Sequence, residues 1–112
     1  MAAHYDLNIT QGNSFYVRLA AVDPNGTPFD LTNWNLRGYA KIKFSDQSAL
    51  IDLSPTKATP YTDGLIDINL AATFTKTLPI TEGVFDIEMY NDIGFVDKLI
   101  KGYVRIYPEV TN

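Results

Sequence analysis

Two acidic residues, Asp86 and Glu88, are the part of this 112-residue sequence that comes closest to a catalytic pattern. They alternate with apolar residues, so they share one face of a predicted strand, and Asp67 of another predicted strand could join them. Two carboxylates suffice for glycoside hydrolysis. However, any half-buried sheet presents acids on its outward face, and no pattern here marks a buried carboxyl with a raised pKa. The residues therefore favour a structural role for these acids.

Other candidates for catalysis or metal binding are few. The single histidine, His4, lies in a stretch predicted to be a flexible tail, so a Ser-His-Asp arrangement would lack its base. The absence of cysteine excludes thiolate catalysis and zinc-thiolate sites. Segment 23–27 (DPNGT) lacks the later acidic ligands of a calcium loop and is typical of a tight turn. We therefore expect no enzyme activity, no metal ion and no cofactor.

One predicted strand carries cations and an aromatic ring on its outward face. Such a stripe can bind single-stranded nucleic acid or sugars, or its cations can pair with acids of neighbouring strands. The net charge of −4 and the pI near 4.7 disfavour a nucleic-acid partner, so we expect pairing with Asp67, Asp86 or Glu88. The stripe consists of Arg37, Tyr39, Lys41 and Lys43.

The strongest pattern in the chain predicts a long antiparallel hairpin over residues 83–107. Its first arm alternates apolar and polar residues, and the turn chemistry of Asn91 to Gly94 separates it from the second arm. A hairpin with one apolar face is marginal alone in water, so other strands must cover that face. The residues predicted to face the core are Phe85, Ile87 and Met89 on the first arm, and Val96, Ile100, Val104 and Ile106 on the second.

The rest of the chain supplies shorter predicted strands separated by turns. In the strand at 35–44, we expect Leu36, Ala40, Ile42 and Phe44 to face the core. About seven strands at such spacing predict an all-β protein, an antiparallel β-sandwich of immunoglobulin-like or jelly-roll-like type. The other predicted elements are strands at 5–9, 14–23, 50–53 and 64–70, a loop at 54–63, and one short helix near residues 71–78 with Phe74 and Leu78 on one face.

The length of the chain fits a single β-sandwich domain over residues 1–112, with residues 1–4 and 109–112 as flexible tails. No apolar run approaches the roughly 18 residues that a membrane-spanning helix requires. The N-terminus has no basic region followed by an apolar stretch. We therefore expect synthesis in the cytoplasm and no membrane partner.

Several motifs follow one another along the chain: LNITQGNSFYVRL at 7–19, DPNGTPFDLTNW at 23–34, RGYAKIK at 37–43, GLIDINL at 64–70, LP at 78–79, EGVFDIEM at 82–89 and GYVRIYPEVT at 102–111. Their order resembles small β-sandwich proteins and domains in the tails and baseplates of bacteriophages and prophages. It is similar to the N-terminal domain of phage upper baseplate proteins. Asn33 departs from that pattern, because the family often has glycine there. Related domains often carry fibre or host-binding extensions, whereas this sequence stops at Asn112, so the resemblance implies a free-standing structural piece or an adaptor.

This resemblance implies a non-enzymatic virion structural protein of a tailed bacteriophage, made in the host cytoplasm. The implied partners are other tail, baseplate or neck proteins, with the chain forming a homo-oligomer or part of a symmetric assembly. Two alternatives remain open: a carbohydrate-binding module that stacks exposed rings on sugars, and a capsid decoration protein. The predicted partner-binding residues are Tyr39, Lys41 and Lys43 on the middle strand, and Tyr103, Arg105 and Tyr107 on the last strand.

Overall fold

Two β-sheets pack around one apolar core in the computed structural model, which describes residues 3–43 and 48–109. This confirms the predicted all-β sandwich. A single helical turn, α1, spans Ala72–Thr75, and a 3₁₀ turn spans Tyr61–Asp63. The strands are β1 (Ala3–His4), β2 (Leu7–Thr10), β3 (Phe15–Ala20), β4 (Asn35–Lys41), β5 (Ile51–Asp52), β6 (Thr56–Lys57), β7 (Leu65–Leu70), β8 (Glu82–Tyr90) and β9 (Val96–Tyr107).

The larger sheet has the order β1–β9–β8–β4–β5, and the smaller sheet has the order β3–β7–β6. Strand β2 follows β1 along the same edge of β9. Both pair with β9 in parallel, whereas the other strand pairs are antiparallel. The sequence pattern did not indicate this parallel edge, because alternation along a strand is the same for both pairing directions.

The β8–β9 hairpin forms as predicted, with one irregularity that changes which residues face outward. The register shifts between Ile87, which lies opposite Ile100, and Glu88, which lies opposite Lys98, so Leu99 has no counterpart on β8. Such a bulge reverses the alternation of the bulged strand. Leu99 and Ile100 are therefore both buried, and Val96 is exposed. The prediction that Val96 faces the core is wrong for this reason.

Other predicted details also differ from the structure. Ile42 is exposed, because β4 ends at Lys41 and the chain leaves the sheet before the predicted strand is complete; Phe44 lies outside the described residues. The predicted loop at 54–63 contains β6 and the 3₁₀ turn. The helix near residues 71–78 exists but has one turn. Leu78 is buried and Phe74 is exposed, so the two do not share a buried face.

The predicted tails contribute contacts where the structure describes them. Ala3 and His4 form β1 and pair with Ile100 and Lys101 of β9. The backbone N–H of Glu109 donates a hydrogen bond to the side chain of Gln11. Residues 1–2 and 110–112 lie outside the described residues.

Two polar corners join the strands, and the sequence predicted the turn at the first of them. In the turn after β3, Asp23 Oδ1 accepts hydrogen bonds from the N–H groups of Asn25 and Thr27, both at 2.9 Å. In the next corner, Asp30 Oδ1 accepts the N–H of Thr32 at 3.0 Å. Asn33 follows with a φ of +68°. Asparagine tolerates this left-handed conformation better than most residues, because its short polar side chain can bond locally.

The parallel edge requires glycine at position 102. The carbonyl oxygen of Tyr5 occupies the space where a Cβ atom at this position would lie. The backbone N–H of Tyr5 donates to the carbonyl of Lys101 at 3.0 Å, so the two chains touch at this point. Gly102 therefore permits the segment between β1 and β2 to approach β9.

Replacing Gly102 with alanine should destabilise the protein by about 1–3 kcal/mol, because the edge segment must move away from β9. Urea unfolding measures this loss. Lys101→Ala is the matched control: its side chain is exposed, so we expect a change within about 0.5 kcal/mol. Wild-type stability of the Gly102→Ala variant would contradict the packing described.

Candidate functional site

The outward side of the larger sheet brings the two predicted partner-binding patches together. Val84 of β8 lies opposite Lys41 of β4 on one side and opposite Tyr103 of β9 on the other. The two patches are therefore parts of one surface, called the outer face below. It comprises Arg37, Tyr39 and Lys41 of β4, Val84, Asp86 and Glu88 of β8, and Lys98, Lys101, Tyr103, Arg105 and Tyr107 of β9.

Aromatic rings are the most accessible apolar groups on the outer face. Tyr39 is 42% exposed and Tyr103 is 52% exposed, and Tyr107 near the end of β9 is similarly accessible. The ring of His4 packs edge-on against Tyr103, with 5.5 Å between ring centroids. His4, which the sequence placed in a flexible tail, therefore borders the outer face.

The other predicted residues lie at the margins of the outer face. Arg105 is half-buried and forms ion pairs with Glu82 at 3.3 Å and Asp6 at 4.0 Å. Lys41 is half-buried at the end of β4, and Lys43 is exposed two residues beyond that strand. The rings of Tyr39 and Tyr103 are therefore the larger exposed apolar groups of this surface, and these cations lie around them.

A network of ion pairs occupies the outer face beside the rings. Lys98 Nζ lies 2.7 Å from Asp86 Oδ2 and 3.1 Å from Glu88 Oε2. Arg37 Nε donates to Glu88 Oε1 at 2.9 Å and its guanidinium lies over the ring of Tyr90. The predicted pairing of the basic stripe with a neighbouring acid is therefore confirmed for Arg37 and Glu88.

The sequence pattern did not predict that Lys98 joins this network. Strict alternation along β9 does not show that Lys98 lies beside Asp86 and Glu88. The bulge at Leu99 directs Lys98 outward opposite Glu88, within reach of both acids. The signal in the sequence is the adjacent apolar pair Leu99 and Ile100, which interrupts the alternation. Two neighbouring apolar residues in a strand with one wet face indicate such a shift.

The network keeps Glu88 charged. Burial alone would raise the pKa of Glu88, but hydrogen bonds from Arg37 and Lys98, together with their charges, outweigh burial and hold that pKa below its ordinary value. The hydrogen bond to Asp86 raises the pKa of Lys98 against the opposing effect of burial. A general acid near neutral pH requires a raised carboxyl pKa. This arrangement therefore suits structural ion pairs better than glycoside hydrolysis.

Asp67 does not join the acids of the outer face, so that prediction is wrong. It lies on β7 in the smaller sheet, opposite Arg18 of β3. Arg18 donates to its two carboxylate oxygens at 2.7 and 3.0 Å, and the Tyr16 hydroxyl donates at 3.1 Å. The hydrogen bond from Arg18 lowers the pKa of Asp67 despite partial burial. Local alternation cannot assign strands to different sheets, which explains the error.

A groove of about 290 Å³ crosses the outer face. Its lining includes two aromatic residues, the exposed Tyr39 and the buried Phe85, together with two carboxylates and two ammonium groups, so it can accept a polar or charged side chain. Among the described residues, no group of three or more histidine, cysteine or acidic side chains is placed to hold a metal ion. The groove is lined by Tyr39, Lys41, Val84, Phe85, Asp86, Glu88 and Lys98.

No family model and no curated protein matches this chain. Among solved structures, it is similar to an R347E mutant of the SrpA adhesin from Streptococcus sanguinis, with 15% identity and a TM-score of 0.44 over 92% of this chain and 52% of the adhesin chain. It is also similar to a family 123 glycoside hydrolase from Clostridium perfringens, with 11% identity and a TM-score of 0.40 over 98% of this chain and 24% of the hydrolase chain. The chain thus spans about half of the first structure and a quarter of the second.

Neither similarity is close enough to assign a function.

No helix within the described residues is long and apolar enough to cross a membrane.

Acid should weaken the fold through Glu88. Its folded pKa is lower than its unfolded value near 4.5, so its stabilisation is present above pH 4.5 and is lost as the pH falls through the folded pKa. Glu88→Gln should cost about 0.5–1 kcal/mol at pH 7, and this cost should shrink at pH 3. Urea unfolding of both proteins at the two pH values measures the difference.

The control for this experiment is Asp92→Asn in the exposed β8–β9 turn, which should change the free energy of unfolding by no more than about 0.5 kcal/mol at pH 7. An equal cost of Glu88→Gln at pH 7 and pH 3 would show that the charge of Glu88 does not stabilise the fold.

Proposed function

We propose that this chain is a non-enzymatic structural protein of a tailed-phage virion. It docks onto other tail, baseplate or neck proteins through the outer face. The observation that carries the proposal is the surface itself, where exposed tyrosine rings and an ordered ion-pair network share a rigid sheet. Tyrosine and arginine are enriched in protein interfaces because they combine a large contact area with hydrogen bonding.

The sheet supports docking because it fixes the contact groups in advance. Tyr39 and Tyr103 lie on β4 and β9, which both pair with β8, so the spacing of the rings is set by backbone hydrogen bonds. The ammonium group of Lys98 already donates hydrogen bonds to the carboxylates of Asp86 and Glu88. Binding a partner therefore costs little conformational entropy, because the contact groups are already ordered. Repeated copies in a symmetric particle also make many weak contacts at once, which strengthens the attachment.

The corner at Asn33 also supports a relationship to phage tail domains. The family often has glycine at this position, and Asn33 adopts a φ of +68°, a conformation that glycine reaches freely. Asparagine is among the few other residues that tolerate it. The departure in sequence is thus compatible with the same backbone corner.

A carbohydrate-binding module is the second candidate, because the groove on the outer face places Tyr39 beside Asp86 and Glu88. A sugar could stack on such a ring while its hydroxyls donate to the carboxylates. Both acids already accept hydrogen bonds from Lys98. A sugar would compete with those bonds, which favours the docking role. A glycan array distinguishes the two functions. A carbohydrate-binding module should retain a glycan that the Tyr39→Ala variant no longer binds, whereas a docking protein should show no such glycan.

Removing the rings should prevent incorporation into particles. In purified virions of the phage or prophage that encodes the chain, mass spectrometry should detect the wild-type protein. The double variant Tyr39→Ala, Tyr103→Ala should be incorporated at least about tenfold less, because truncating two interface tyrosines costs 2 kcal/mol or more. Tyr16→Ala is the control: Tyr16 is 56% exposed but lies on the smaller sheet, so its loss should have no effect.

Absence of the wild-type protein from purified particles would overturn the virion assignment. If Tyr16→Ala reduced incorporation as much as the double variant, the outer face would not be the docking surface.

A further inference from the structure

Strand β3 forms one edge of the smaller sheet. Within the described residues, β7 is the only strand that pairs with it, over all six residues of β3 and in unbroken register. The other edge strands that the structure describes are shorter, because β1, β5 and β6 have two residues each and β2 has four. A long edge strand offers unpaired backbone N–H and C=O groups to a strand of another chain.

The pairing of β3 with β7 fixes which backbone groups point to the open edge. The N–H of Ala21, directly after β3, donates to the carbonyl of Gly64 at 2.8 Å, so the backbone of Ala21 faces β7. This direction alternates along an antiparallel strand. The backbone groups of Tyr16 and Arg18 therefore point away from β7. They offer two N–H and two C=O groups to an added strand.

This edge lacks the features that usually prevent strand addition, such as a proline, a bulge or an inward-pointing charge. Its inward residues are Phe15, Val17 and Leu19. Leu19 is buried, but Phe15 and Val17 are only half-buried, so the core is incompletely covered at this edge. The one charge on the strand, Arg18, is already paired with both carboxylate oxygens of Asp67. An added strand would therefore cover apolar surface without meeting an unpaired charge on β3.

A second copy of β3 fits this edge in an antiparallel register centred on Val17. In that register, Tyr16 of each copy lies opposite Arg18 of the other, and their edge-pointing backbone groups form four hydrogen bonds. A register centred on Arg18 would place two guanidinium groups opposite each other, which is unfavourable. A register centred on Tyr16 would pair Arg18 with Ser14, which lies outside the strand. The register centred on Val17 also brings together two half-buried valines.

The surroundings limit the contact to the strand itself. At one end, the carbonyl of Ala20 already accepts the hydroxyl of Tyr5 at 3.3 Å. The side chain of Glu109 lies against Gly12 before the strand, and Asp23 lies in the turn after it. These two acids are outside the paired residues of both copies, and salt screens their repulsion.

We propose that two copies of this chain pair through β3 and join their smaller sheets into one continuous sheet. The contact is isologous, so it closes as a two-fold dimer. Residues directly opposite in a sheet point to the same side, so the larger sheets of both copies lie on one side of the joined sheet. The pairing goes beyond the proposed function and does not depend on it. Combined with that function, it presents two outer faces in the same direction and makes docking bivalent.

Hydrogen exchange of individual backbone amides, measured by NMR, tests the pairing in the wild-type protein. Between roughly 50 μM and roughly 1 mM protein, exchange at Tyr16 and Arg18 should slow at least about twofold, the effect of a dissociation constant of roughly 1 mM. The N–H of Val17 faces β7 and should be equally protected at both concentrations. Sedimentation velocity should show a dimer over the same range.

Two substitutions at position 16 separate the backbone contact from the side chain. Tyr16→Pro removes an edge-pointing N–H while leaving the hydrogen bonds between β3 and β7 in place. Tyr16→Ala removes the same ring but keeps the N–H. Because Tyr16→Pro loses two of the four hydrogen bonds of the dimer, it should associate at least about tenfold more weakly than Tyr16→Ala. Tyr16→Ala should associate within about twofold of the wild type. Circular dichroism shows whether each variant folds.

Engineered disulfides test the register without depending on proline. The chain has no cysteine, so Val17→Cys introduces the only thiol. Opposite residues at this position have Cα atoms roughly 4.5 Å apart, within the range of a disulfide, so mild oxidation should link the dimer. Phe15→Cys is the matched control, since it is also half-buried on β3. Its two copies would be four residues out of register, about 13 Å apart, and should not link.

Several results would overturn the pairing: a wild type that stays monomeric at roughly 1 mM, unchanged exchange at Tyr16 and Arg18, equal association of Tyr16→Pro and Tyr16→Ala, or a disulfide from Phe15→Cys and none from Val17→Cys. The proposed function is judged separately. If the protein is monomeric but present in virions, the pairing fails and the proposed function stands. If it dimerises through β3 but is absent from virions, the proposed function fails and the pairing stands.

Discussion

The pairing of β8 with β9 is the constraint on which the rest of this structure depends. The two strands form the centre of the larger sheet, and the bulge at Leu99 lets β9 bury Leu99 and Ile100 together. The same bulge turns Lys98 outward between two acids. The core and the outer face are therefore set by one shift in register, because moving a strand by one residue exchanges its two faces.

The ion pairs divide the surface into regions with different properties. On the larger sheet, Lys98 and Arg37 pair with Asp86 and Glu88 of β8, beside the ring of Tyr39. On the smaller sheet, Arg18 donates hydrogen bonds to both carboxylate oxygens of Asp67. Paired charges cost less to cover than isolated ones, which makes a face of this kind suited to contact with another protein.

The sequence predicts the features that depend on neighbouring residues and not those that depend on distant ones. Alternation identified the hairpin and its buried residues such as Phe85, and turn chemistry identified the corner at Asp23. The outward positions of Tyr39 and Tyr103 followed from the same alternation. The bulge, the parallel edge beside Gly102 and the division of strands between two sheets depend on which strands pair, and local patterns do not contain that information.

We propose that the outer face contacts other virion proteins, and site-specific photo-crosslinking in intact particles tests this contact most directly. A photoreactive amino acid at position 103 should crosslink to another structural protein of the virion, identified by mass spectrometry. The same group at position 16, exposed on the smaller sheet, should give no such product. Crosslinks from position 16 and none from position 103 would contradict the account.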